Sequence, residues 1–162
     1  MKLLLLLAIA PGLFLIWFIY KHDTIEKEPT GLLVKLFFLG GLTIIPAALV
    51  ELGLSSVAGA VLGDGLIFNI VENFLIVALA EESCKYIVAK KLTWKNPAFD
   101  YTFDAVVYCV VASLGFATFE NILYVFENGI GTAIMRAILS VPGHAIFGLF
   151  MGCHYGLARR AS

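Results

Sequence analysis

Residues 66–89 read LIFNIVENFLIVALAEESCKYIVA. The stretch is long enough to cross a bilayer, since about 20 apolar residues, at about 1.5 Å rise each, cover a hydrocarbon core of about 30 Å. Yet it carries Glu72, Glu81, Glu82 and Lys85. An ionisable side chain near the bilayer centre costs about 2.5–3.5 kcal/mol on insertion scales. Such a segment stays in a membrane only where its charges pair or face a wet cavity inside a bundle. Lys85 lies four residues after Glu81 and three after Glu82, so on one helix face its ammonium reaches either carboxylate. It cannot neutralise both. The second carboxylate must hold a proton or find a partner on another helix.

The rest of the chain fits this setting. Its 162 residues are 60% hydrophobic and only 14% charged, with a mean hydropathy of +0.94. A soluble domain carries roughly 25% charged residues, so an ordinary soluble enzyme and a disordered chain are both excluded. A net charge of −1 offers no basic stripe for phosphates, and no nucleic-acid partner is expected. Four further apolar runs, Leu3–Tyr20, Leu32–Leu54, Phe103–Phe126 and Thr132–Leu157, complete the pattern. The expected fold is all-α: a polytopic membrane helix bundle of about five transmembrane helices, forming one integral membrane domain over residues 1–162. The longest polar stretch, Lys21–Thr30, reads as a loop. Ala8-Ile9-Ala10 looks like a signal-peptide cleavage site, but the apolar run continues through Pro11 to Tyr20, which favours a retained anchor helix.

Lys and Arg near the span ends set the expected orientation. Lys21, Lys27, Lys35, Lys90, Lys91, Lys95, Arg159 and Arg160 fall on one side, against Lys2 and Arg136 on the other. That places the C-terminus in the cytoplasm and the N-terminus outside, in a bacterial-type cell membrane. Cys84, Cys109 and Cys153 are widely spaced in apolar runs, without CxxC spacing, and read as small packing residues.

Two more helices carry charge deep in apolar surroundings. Glu120 sits in Phe116-Ala117-Thr118-Phe119-Glu120-Asn121, and His144 in Pro142-Gly143-His144-Ala145-Ile146-Phe147-Gly148. Gly148, Gly152 and Gly156 recur every four residues on roughly the face of His144; small residues at this spacing let helix backbones approach closely. Carboxylates, a lysine and an imidazole converging in a membrane are components of a water-activating site, and equally of a metal site with oxygen and nitrogen ligands. Glu72 reads as a packing contact and Glu51 and Glu127 as interfacial. Asp104 reads either as a helix cap or as a support of the site. His22 and His154 lie near the membrane boundaries. With ideal spans, Glu81 falls about 5 Å to the cytoplasmic side of its helix midpoint and Glu120 about 9 Å to the outer side of its own, so the helices must be offset or tilted for the groups to meet.

Glu81-Glu82-Ser83-Cys84-Lys85 fits an EExxK pattern, and Gly115-Phe116-Ala117-Thr118-Phe119-Glu120-Asn121 fits a GFAxxEN stretch containing FxxxE. Ser140–Gly148 fits a third, histidine-bearing motif. In order, spacing and membrane setting the chain resembles the PrsW family of intramembrane proteases, distant relatives of the CAAX prenyl endopeptidases. The resemblance covers about residues 66–157, and Asp104 and Tyr124 also fall where the family pattern leads. It implies a glutamate-dependent protease cutting a membrane-anchored, single-span protein, typically an anti-sigma factor at its first cleavage site. Glu81 and Glu82 take the place of the family's paired glutamates, Glu120 of the FxxxE acid and His144 of the third-motif histidine. In the CAAX relatives the second motif ends in His, where this chain has Glu120.

The expected mechanism is hydrolysis without a covalent intermediate or a cofactor. Glu81 acts as general base on water, and Glu120 or Glu82 shares the proton and delivers it to the leaving amine; proximity pushes paired carboxylates apart in pKa. His144 donates to the developing oxyanion, with help from Asn121, while Lys85 holds one carboxylate ionised and Phe116 supports the motif. No Gly-x-Ser-x-Gly elbow marks a serine nucleophile. Two alternatives stay open: a zinc-dependent protease using Glu81, Glu120 and His144 as ligands, and a small proton- or cation-coupled carrier in which the same glutamates bind and release ions.

Overall fold

The computed structural model describes residues 2–23, 26–63 and 65–161, so residues 24 and 25 of the expected loop lie outside it. Among the described residues the chain is helical, with no strand. The helices are α1 (Lys2–His22), α2 (Thr30–Leu42), α3 (Ile44–Leu62), the short α4 (Leu66–Ile70), α5 (Ala78–Thr93), α6 (Thr102–Met135) and α7 (Val141–Arg160). Two π-helical segments are inserted, Val71–Val77 between α4 and α5, and Arg136–Ser140 between α6 and α7.

Every expected span falls on helix. By length and composition alone, three continuous stretches among the described residues qualify to cross a membrane: Lys2–His22, Thr30–Leu62 and Thr102–Arg160. The count differs from about five for two physical reasons. The helix bearing EExxK holds too many charges to qualify on composition. The last two expected spans join into one run that folds back at Gly129, whose φ of 79° lies in the left-handed region that glycine tolerates without steric cost. The expected break near residue 127 is therefore a turn within a continuous run.

α6 is the central element, buried on every face from Asp104 to Thr118, as expected of a helix apolar all round. Its first turn is capped by Asp104, whose Oδ2 accepts the backbone N–H groups of Asp100 (3.0 Å) and Tyr101 (2.7 Å). α1, α2, α5 and α7 pack around it. The glycine stripe of α7 sets the closest contact: a Cβ on Gly148 would come to 2.8 Å from Ser113 Oγ, and on Gly152 to 2.5 Å from Val106 Cα. On Gly156 it would meet Thr102 O at 2.6 Å. Rising numbers on α7 thus meet falling numbers on α6, and the pair is antiparallel. The outer surface carries large apolar side chains such as Leu6, Trp17, Leu49, Leu52 and Val61, which suits contact with lipid rather than water. The three cysteines are free.

The basic loops end together. Arg159 stacks over Trp94 at 5.6 Å, and the Tyr108 hydroxyl hydrogen-bonds both Glu28 and the Ala98 carbonyl. Glu28, the segment around residues 94–98 and Arg159 therefore share one end of the bundle.

Candidate active site

Two of the three motifs, on α5 and α7, enter the site just after a π-helical segment. A π-helical turn holds one more residue than an α turn, so Val71–Val77 resets the face on which α5 presents Glu81, Glu82 and Lys85. Arg136–Ser140 does the same for α7 and His144. Between them stands α6, whose glycine contacts bring α7 close enough for His144 to reach both α5 and Glu120.

Lys85 is the hub. Its side chain is wholly buried, and Nζ donates to Glu81 Oε2 at 2.9 Å and Glu82 Oε1 at 2.7 Å, and reaches His144 Nδ1 at 3.1 Å. The Phe116 ring lies 3.9 Å beneath the ammonium and 5.6 Å from the imidazole. An ammonium has no lone pair to offer, so His144 Nδ1 accepts from it, and the ring proton sits on Nε2. From there it is donated to Glu120 Oε2 at 3.2 Å. The imidazole is thus neutral, its tautomer set by the charged group on either side.

Glu120 is held in turn by the Arg136 guanidinium, whose Nη2 bonds the same carboxylate oxygen. Arg136 Nε donates to Asn121 Oδ1 at 2.6 Å, and the guanidinium lies 4.3 Å from the Tyr124 ring. Asn121 is buried against α1, its amide 3.4 Å from the Ala8 carbonyl. One acceptor is left over: Glu82 Oε2 is buried and has no hydrogen-bond partner among the described residues.

Glu81, Glu82, Lys85, Phe116, Glu120, Asn121 and His144 are therefore one connected cluster, and the offset between Glu81 and Glu120 is spanned by the imidazole between them. Asp104 is not part of it; it caps α6 sixteen residues before Glu120, about 24 Å along the helix axis. His22 and His154 bond backbone carbonyls of their own helices. Two residues escaped the sequence reading. Arg136, read only as a charge near the start of a span, sits inside the cluster. Glu51, read as interfacial, lies within electrostatic reach of Glu81 and Glu120. In both cases the signal was a charge inside an apolar run, which sequence alone does not assign to a partner.

The geometry also sorts the donors for a metal. One ligand atom each from Glu81, Glu82 and His144 lies within 4.8 Å of the others. Glu120 is outside that group, on the far nitrogen of the imidazole, so the set Glu81, Glu120 and His144 is not the one the fold gathers. Two carboxylate oxygens and one imidazole nitrogen are suitable donors for zinc. The ammonium bound to all three, and the unpartnered Glu82 oxygen, mark a place where a cation fits. Glu120 would then back the histidine as an outer-shell carboxylate.

Comparison with known proteins identifies the family. The model of the PrsW family intramembrane metalloproteases matches residues 28–162. The chain is 37% identical over 154 residues to the protease PrsW of Geobacillus kaustophilus, covering 94% of this chain and 65% of that protein. It is 38% identical to the protease PrsW of Oceanobacillus iheyensis, over 93% of this chain and 67% of that one, and 36% identical to that of Bacillus subtilis, over 93% and 66%. The chain thus spans about two thirds of the length of these relatives. No solved structure matches it. Motif order, cluster geometry and a family match over most of the chain lead to one conclusion: this chain belongs to the PrsW family.

Proposed function

We propose that the protein is an intramembrane endopeptidase that hydrolyses a peptide bond in a membrane-anchored, single-span protein such as an anti-sigma factor. The observation that carries this reading is the convergence of Glu81, Glu82 and His144 on one buried cation position inside an apolar bundle. The free oxygen of Glu82 is a ready acceptor for a proton of water, and Glu81 shares the charge of the pair through Lys85. The water oxygen bonds to the scissile carbonyl carbon as its proton passes to the carboxylate pair. That proton then goes to the leaving nitrogen as the C–N bond breaks, giving a carboxylate and an amine. Glu81, Glu82 and His144 would hold a zinc ion if one is used, and bound zinc polarises a carbonyl and acidifies water. Glu120 fixes the imidazole, and Phe116 and Asn121 hold Lys85 and Arg136 from behind. The positively charged end of the bundle supports a cytoplasmic C-terminus and an outer N-terminus.

The test is reconstitution of the wild-type protein, Glu81→Gln, Glu82→Gln and His144→Ala with a tagged single-span substrate. Fragment should form only with the wild-type protein, while capture of the substrate persists in all four. Equal cleavage by the glutamate variants would overturn the mechanism. Proton or cation flux through wild-type liposomes without cleavage would favour a carrier.

A further inference from the structure

The cluster contains one charged group that the hydrolytic scheme above does not use. Arg136 comes from the π-helical segment that leads into α7, and it reaches back to α6 with its whole functional edge. Nη2 bonds Glu120, Nε bonds Asn121 Oδ1, and the guanidinium lies over Tyr124. Its side chain is 16% exposed. A guanidinium is a rigid fork of donors, so two bonds to adjacent residues of one helix fix the angle of the Glu120 carboxylate as well as its distance. The same oxygen, Oε2, is the one that receives His144 Nε2–H.

We infer that Arg136 is a positioning residue for the proposed reaction, acting through Glu120 to lock the imidazole of His144 in its Nε2–H tautomer, with Nδ1 turned toward Glu81 and Glu82. The inference rests on the hydrolytic reading of that site. The chain of contact is Arg136 to Glu120 to His144, and from His144 through the Lys85 ammonium to the paired glutamates, each link a hydrogen bond. Without the guanidinium the Glu120 carboxylate keeps only the imidazole and rotates about its terminal torsions. The ring then loses the acceptor that holds its Nε2–H, and only the Lys85 ammonium at Nδ1 still orients it. From α6 the imidazole meets this oxygen and the Phe116 ring, and from α5 the Lys85 ammonium, so the arginine one helical segment earlier governs the Nε2 side of its orientation. Because Asn121 takes the second donor, the arginine is also tied to α1 through Ala8, which makes the lock part of the bundle.

The experiment uses the full chain in lipid nanodiscs with the tagged single-span substrate, comparing wild type, Arg136→Gln, Arg136→Lys, Glu120→Gln and the Glu120→Gln/Arg136→Gln pair. Removing an outer partner of a functional histidine typically costs about 10–100-fold. Arg136→Gln should lower kcat by about that factor with KM changed less than about twofold, since a positioning residue acts on the histidine rather than on substrate binding. Arg136→Lys, which can keep the bond to Glu120, should recover part of the loss. The double variant should be no slower than the slower single one, because both act through one contact. A wild-type rate in Arg136→Gln, or losses that multiply in the double variant, would overturn the inference. Glu81→Gln and His144→Ala run alongside: if they cleave as the wild type does, the hydrolytic reading fails instead. A readout independent of cleavage is the 15N spectrum of the His144 ring, assigned by its disappearance in His144→Ala. The wild type should show the Nε2–H tautomer and Arg136→Gln a mixture; an unchanged tautomer would again refute the positioning role.

Discussion

Lys85 decides the energetics at the residue scale. It is a fully buried ammonium facing two carboxylates and an imidazole, and removing one member of a buried charge cluster typically costs about 3–5 kcal/mol because the rest stay buried and unpaired. Lys85→Met should therefore lower the melting temperature in metal-free detergent solution. If Glu81, Glu82 and His144 bind zinc, added zinc should restore much of that loss, since a ligand at about 100 times its Kd adds about 2.7 kcal/mol. The same titration on His144→Ala should show little recovery. A melting temperature indifferent to zinc in every variant would argue for a site that works with the carboxylates alone. Glu81→Gln and Glu82→Gln remove charge at nearly constant volume, and each should slow cleavage by about 10²–10⁴-fold, the usual contribution of a general base. Equal yields of inserted protein would show that folding is not the cause. The EExxK, FxxxE and histidine motifs made Glu81, Glu82, Lys85, Glu120 and His144 legible as one site from sequence. Arg136 was not, because its partners lie fifteen and sixteen residues back, across a reversal of the chain at Gly129.

At the scale of elements, the close packing of α6 on α7 carries the site. Gly148, Gly152 and Gly156 bring α7 onto the backbone of α6, and His144 lies one turn before the first of them. Gly152→Leu should overpack that contact at a cost of about 1–3 kcal/mol and tilt His144 away from Lys85. The expected outcome is a lower melting temperature together with lost cleavage. Gly131→Ala is the matched control, because a Cβ there meets nothing within 4 Å, and it should leave both unchanged. If the two variants behave alike, the glycine stripe does not set the site. The stripe was visible in the sequence as a four-residue period. The two π-helical segments were not, since no residue pattern separates an inserted residue in an apolar run from regular helix. Their effect on which face Glu81 and His144 occupy follows from packing against α6.

For the whole molecule, the charged end of the bundle is a second place where burial changes chemistry. Glu28, between α1 and α2, is 4% exposed. Its carboxyl is pushed up from 4.5 to about 7 by burial and by the nearby Asp104 and Asp23 carboxylates, against the opposing bond from Tyr108. Between those two values the folded protein keeps a proton that the unfolded chain has lost. The contribution to stability is therefore full below about pH 4.5 and is lost as pH rises through about 7. The melting temperature should be higher at about pH 5.5 than at about pH 8, and Glu28→Gln, which stays neutral, should flatten that difference. A wild-type protein whose melting temperature rises over this range, with no change on substitution, would show that Glu28 is ionised in the fold. The sequence by itself determined the helical membrane class, the motif residues and the end at which the basic loops gather, because hydropathy, helical spacing and the cost of charge in lipid are local properties. Only the tertiary structure decided that the last two spans fold back as one run, and that Glu82 rather than Glu120 shares the cation position with Glu81 and His144. It also decided that Arg136 stands behind Glu120. Each of these depends on the rotation of one helix about its axis relative to another, which is set by the packing of α5 and α7 on α6 and is not encoded in the spacing of any single segment.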